Sequence, residues 1–285
     1  MSAQAVLFDA PGPKTIARHR LYTIISVVLV TGVVALMVWR LYDRNQLTYD
    51  KWEPFLTPRY LTALLVDGVL TTLQMAFSAV IGAVVFGLVL GSGKLSDRAT
   101  VRWISWAVVE FFRAVPVLLL MIFIFFSYGI DRGQSGAYWS VVIALTLYNG
   151  AVLAEVFRAG VLAVPTGQSE AAYAIGMRKT QVMNIILLPQ AVKIMLPAII
   201  SQCVVALKDT SLGYAVAAPG LTYVGRNIYQ QFGNQVPTVI VLAVLYIAIN
   251  MILTAIATWV QKRFVGEKKA LEVLAVGGPG GGAGV

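Results

Sequence analysis

Gly68-Val-Leu-Thr-Thr-Leu-Gln-Met-Ala-Phe-Ser-Ala-Val-Ile-Gly-Ala-Val-Val-Phe-Gly-Leu-Val-Leu-Gly-Ser-Gly93, bounded by Asp67 and Lys94, runs 26 residues without a charged side chain. At about 1.5 Å per residue, a helix of that length outreaches a hydrocarbon core about 30 Å thick. A helix also satisfies every backbone N–H and C=O where water is absent. The stretch reads as a transmembrane span. Ser78, Gly82, Gly87 and Gly91 give it small residues at spacings that let a neighbouring helix approach closely.

Outward from this span the chain repeats the pattern. Charge-free stretches cover 21–39, the interval between Arg113 and Asp131, the interval between Arg132 and Glu155, and about 236–260. A further one, about 194–216, is interrupted by Lys208 and Asp209. With the first, that makes six candidate spans. Of the 285 residues 58% are hydrophobic and 12% charged, with a mean hydropathy of +0.77. An ordinary soluble domain carries about twice that charged share, so a water-soluble enzyme is excluded. The expected fold class is an all-α polytopic membrane helical bundle of about six transmembrane helices.

The net charge of +9 calls for membrane topology rather than nucleic acid. With the N-terminus inside, the basic segments around Lys94, Arg98 and Arg102, then 158–193 and 262–269, are all cytoplasmic, as is the C-terminus. The first span is longer than a signal-peptide core and lacks a small-residue cleavage site after it, so an uncleaved helix is expected. The expected division is a cytoplasmic basic segment 1–20, a helix 21–40, a membrane domain 60–262 and a Gly-rich disordered tail 263–285.

The single cysteine, Cys203, and the single histidine, His19, leave no His/Cys set for a metal site. The nearest approach to a phosphate loop, Leu88 to Leu95, lacks the first glycine and the hydroxyl that holds magnesium. No nucleophile and base are brought together by spacing. No cofactor and no catalytic residue are expected of this chain.

The longest cytoplasmic connection, 165–193, is more ordered than a tether. Pro165 and Thr166 suit a helix start, Ala171, Ala172, Tyr173 and Ala174 favour a helix, and Gly176 suits its end. A second short helix is expected from Thr180 to near Pro189. Two helices too short to span, displaying Tyr173 and Met177 beside Glu170 and Arg178, form a knob that can dock on a cytoplasmic partner and pass on rigid-body motion.

Glu170-Ala171-Ala172, three residues, Gly176, nine residues, then Ile186-Leu187-Leu188-Pro189 resembles the EAA loop of bacterial ABC importer permeases. Gly68 to Leu73, Glu110 to Pro116, Leu147 to Arg158, Pro165 to Gln168, Leu188 to Ala191 and Lys208 to Leu212 extend the similarity to the polar amino-acid branch over about residues 60 to 260. The opening Val6 to Pro13 resembles the start of actinobacterial glutamate permeases. The resemblance implies a five-helix core, to which the first helix is extra, and a second permease subunit facing this one. It also implies an ATPase dimer beneath that uses ATP and Mg, an extracellular solute-binding protein, and an amino-acid substrate, glutamate. It places Gln168, Glu170, Ala171, Ala172, Tyr173, Gly176, Met177 and Arg178 against the ATPase. Permeases for basic amino acids, glutamine or opines are the near alternative; an ATP-independent channel or secondary carrier is the remote one.

Charges at membrane depth carry the remaining expectations. Lys208 lies about 22 Å up a helix from Lys193, in the outer half of the core, and a charge there must face protein or water rather than lipid. Lys208 and Asp209 either pair with neighbouring helices or line a substrate path, with Thr210 and Ser211 offering hydroxyls. Asn149 either lines the path or makes a core hydrogen bond. Glu110/Arg113 and Glu155/Arg158, each spaced i, i+3, read as inner-gate or structural pairs.

Overall fold

The computed structural model describes residues 12–265; the Gly-rich run 277–284 and the opening residues 6–11 lie outside them. Among the described residues every regular element is helical. Five helical stretches are long and apolar enough to cross a membrane: Lys14–Asp43, Pro58–Lys94, Val117–Leu162, Lys179–Val216 and Gln235–Arg263. The expected all-α membrane bundle is what the chain forms. It divides into two compact units, Met1–Leu61 with Ile228–Val241, and Thr62–Asn227 with Leu242–Val285.

In the first unit, α1 (Pro13–Asp43) opens on a proline, which has no N–H to leave unpaired. It closes through Asn45 at φ +52°, whose N–H donates to the Tyr42 carbonyl at 3.0 Å while that of Gln46 donates to Leu41 at 2.9 Å. From α2 (Tyr49–Trp52), which precedes α3 (Pro58–Thr62), the Lys51 ammonium donates to the carbonyls of Phe232 and Gly233 at 3.0 and 3.2 Å. Asn234 returns a bond to the Lys51 carbonyl at 2.9 Å. A lysine on the last carbonyls of a helix complements its negative end.

The second unit is built round α4 (Thr71–Lys94) and α7 (Gly133–Leu162). The small-residue stripe of α4 lies on α7 as its spacing predicts. A methyl added at Gly87 would stand 2.9 Å from Leu153 Cβ and 3.0 Å from the Gly150 carbonyl, so a larger residue would force the helices apart. Met75 and Ala79 of α4, Leu120 and Met121 of α6 (Val117–Ile124), and Ala137, Val141 and Leu145 of α7 form one buried cluster. Ala83, Leu153 and Phe157 form another with Ala191 and Met195 of α10 (Leu188–Asp209).

The third and fourth expected spans are one run, Val117–Leu162, of 46 residues. That would extend about 69 Å, twice the hydrocarbon thickness, so it folds back: Gly133 at φ +56° breaks it, and α6 lies along α7. The fourth span was expected to stop at Glu155; α7 continues to Leu162, because the charges that looked like a terminus are neutralised by partners. Nor does the second short helix stop at Pro189. After α9 (Lys179–Gln181) a π-helical segment, Val182–Leu187, leads directly into α10, with Pro189 in its first turn. The wider π-helical turns just before Pro189 are where a helix takes in a proline that cannot donate to the preceding turn. The fifth span therefore begins before Ile194. Two helices carried no charge-free signature: α5 (Ala99–Ala114) and α11 (Leu221–Phe232). The last span is α12 (Gln235–Val265).

Candidate functional site

The loop after α7 folds into α8 (Thr166–Ala174). Its end is set by Gly176 at φ +82°. Gly176 N–H donates to the Tyr173 carbonyl at 2.9 Å and Met177 N–H to Ala172 at 3.2 Å, the double closure that a left-handed residue makes possible. A side chain at 176 would meet no neighbour, so glycine is required by the backbone alone. Arg178 N–H then donates to the Gln181 Oε1 at 2.8 Å and starts α9. Ala172 is buried against the π-helical segment that holds buried Val182. Gln168, Glu170, Ala171, Tyr173 and Arg178 are exposed and Met177 is half-buried. Ile175, between the two turns, is 79% exposed. The expected coupling residues therefore form one small knob, anchored by Ala172 and presenting polar and apolar side chains outward. Lys179 pairs with Asp97 in the turn before α5.

The second constellation joins the two i, i+3 pairs. Arg113 Nη1 lies 3.0 Å from Glu110 Oε1, and Arg158 Nε lies 2.9 Å from Glu155 Oε2. Between them stands a residue that sequence spacing did not single out: Lys94, the last residue of α4, bonded to Glu155 and 3.8 Å from Glu110, its side chain only 6% exposed. These groups line a cavity of about 700 Å³ with Arg102, Trp103 and Trp106. Lys94 thus ties α4 to α5 and α7. The only hint in the chain was that its helix ends level with those pairs. Gly93 beside it lets Ser105 pass closely.

The third constellation lies at the other end of α10. Lys208 is exposed and lines a separate cavity of about 700 Å³ with Ser211. Asp209 is half-buried and does not line it. Thr210 is buried, its hydroxyl donating to the Leu207 carbonyl at 2.6 Å. The Ser211 hydroxyl donates to the Lys208 carbonyl at 2.7 Å. Asn149 is not brought to this cavity: it is buried, donates to the Leu145 carbonyl at 3.0 Å and accepts from Gln202 Nε2 at 2.6 Å. It makes the core hydrogen bond that was one of its two expected roles. The far wall comes from α12, through Tyr246, Asn250, Thr254 and Thr258. Their spacing of four was legible in the chain, but a reading by charge passes over hydroxyls and amides.

Known proteins place this arrangement in a family. A family model described as binding-protein-dependent transport system inner membrane component matches residues 83–266. The chain is 41% identical over 226 residues to the glutamate transport system permease protein GluD of Corynebacterium glutamicum, covering 78% of this chain and 83% of that protein. It is 34% identical over 207 residues to the probable glutamine ABC transporter permease protein GlnP of Bacillus subtilis, covering 70% and 94%. A crystal structure of an amino acid ABC transporter with histidines superimposes with a TM-score of 0.66 at 28% identity, covering 73% of this chain and 98% of that one. The chain belongs to the family of binding-protein-dependent transport system inner membrane components, and is a multi-pass permease subunit of an ABC transporter.

Proposed function

We propose that this permease imports a polar amino acid, glutamate, by alternating access. The observation that carries the reading is Lys208, an exposed ammonium on a spanning helix with no carboxylate among the residues lining its cavity. A charge at membrane depth needs a partner or water, and an anionic amino acid is a fitting transient partner. The 41% identity to a glutamate permease supports the choice; relatives named for glutamine and arginine define the competing substrates.

In this reading both termini are cytoplasmic, the helix at 21–40 is an addition to a core at 60–262, and a second permease subunit, identical or sister, completes the path. The knob of Gln168 to Arg178 sits on a cytoplasmic ATPase dimer, which binds ATP and Mg; this chain holds no cofactor of its own. A solute-binding protein delivers substrate from outside. ATP moves the equilibrium between inward- and outward-facing states only by stabilising one of them, and α8 is the rigid contact that transmits this preference. The charge cluster around Lys94 clamps the inner ends of α4, α5 and α7 so that they move as one body.

Uptake of labelled amino acids by cells with and without the chain tests the substrate: loss of glutamate uptake is expected, and loss of arginine or glutamine uptake alone overturns the choice. Purification of the tagged chain tests the machine. An ATPase subunit is expected to co-elute in the wild type and to be lost on Glu170→Lys.

A further inference from the structure

In the second unit, α12 carries Tyr246, Asn250, Thr254 and Thr258 at successive intervals of four, and all of them line the cavity that holds Lys208 and Ser211. Residues four apart share a helix face, so these side chains form one polar stripe about 18 Å long. It covers more than half of a hydrocarbon core about 30 Å thick. The opposite face of the same helix is purely apolar, with exposed Ile252 and Ile256. Thr254 and Thr258 are exposed, and the Asn250 amide donates to the Tyr246 carbonyl at 2.7 Å while its Oδ1 has no partner among the described residues. A helix that lay wholly in lipid would gain nothing from such a stripe, and an unused amide acceptor there is costly.

We propose that this stripe is the wet wall of the translocation path, with Lys208 taking a carboxylate of the passing amino acid and Asn250 Oδ1 accepting from its ammonium. Below that station Thr254 and Thr258 supply hydroxyls in place of the water that the zwitterion sheds. The proposal rests on the permease reading but not on the choice of glutamate. The two charged ends of an α-amino acid are common to every substrate of that class; only a second carboxylate would distinguish glutamate.

The test uses the whole transporter in membranes, with Cys203→Ser as the background and single cysteines at Asn250, Thr254 and Thr258 on the stripe, and at Ala248, Ile252 and Ile256 behind it. A membrane-impermeant cationic thiosulfonate is the probe; uptake by the Cys203→Ser background shows that the transporter works, and recovery of each variant in the assembled complex shows that it folds. Thiolate forms only where water reaches it, so stripe positions are expected to react at least about tenfold faster than the rear ones. Protection at Asn250→Cys by saturating amino acid is expected as well. Protection by glutamine or arginine in place of glutamate would support the path and sink the substrate. A stripe no more reactive than the rear face, in variants that still assemble, would overturn the proposal and make the stripe a dry helix–helix contact.

Discussion

Lys94 and Lys208 both sit on spanning helices of this chain, and their surroundings are opposites. Lys94 is enclosed, bonded to Glu155 and close to Glu110, with Arg158 on the other oxygen of Glu155 and Arg113 on the same oxygen of Glu110. Lys208 is exposed to a cavity whose other polar lining is hydroxyl and amide. A charge that is fully paired is committed to the fold; a charge left facing neutral groups is available to something that passes by. The difference therefore separates a clamp from a station, although both residues are equally anomalous by composition.

The sharpest way to break the comparison is Lys94→Met. The change takes one of two cationic partners from Glu155 and from Glu110 and leaves Arg158 and Arg113 in place, so the cost should approach but not reach the ~3–5 kcal/mol of a wholly stranded buried charge. A large fall in the thermal midpoint of the purified complex and in its yield is expected. A midpoint unmoved by the single change would mean that Lys94 is no more committed than Lys208.

A smaller effect is expected at the knob. Gly176→Ala forces a side chain into φ +82°, with a local cost of about 1 kcal/mol. Since nothing presses on that position, the bundle stays folded while the end of α8 loosens. ATPase activity stimulated by substrate should fall with little change in midpoint, and equal losses in both would mean the knob is part of the core. Asp97→Asn, which removes the exposed partner of Lys179, is expected to cost less than about 1 kcal/mol, as surface pairs do. Raising salt in wild type should reproduce it, since salt screens exposed pairs and spares buried ones.

How much of this was legible without coordinates follows the same division. The spans could be read because a hydrocarbon solvent demands uninterrupted apolar runs, and the knob could be read because Gly176 and the alanines before it are local signals. Lys94 could not be placed, because its carboxylates are 16 and 61 positions away and pairing across three helices leaves no periodic trace. The same pairing explains why α7 was cut short at Glu155: a charge reads as a span end only until its partner is known. Pro189 is a second such case, since π-helical turns ahead of a proline let the helix run on through it. Asn149 was seen as a polar residue at depth, but whether it faced a cavity or Gln202 depended on α10 packing beside α7.

The smallest expected structural effect, and the one on which the comparison finally turns, is Lys208→Met. Methionine keeps most of the aliphatic length, no carboxylate in the cavity lining is left unpaired, and the change in stability should stay below about 0.5 kcal/mol, as at other exposed sites. Transport should respond quite differently. Loss of one charge-assisted hydrogen bond to substrate, about 1.5–3 kcal/mol, corresponds to a roughly tenfold to hundredfold weaker interaction. Glutamate uptake should fall on that scale while the midpoint holds, and Lys208→Arg should restore part of it because the charge is kept. If Lys208→Met instead lowers the midpoint as Lys94→Met does, then Lys208 is paired in the assembled transporter and belongs with the clamp.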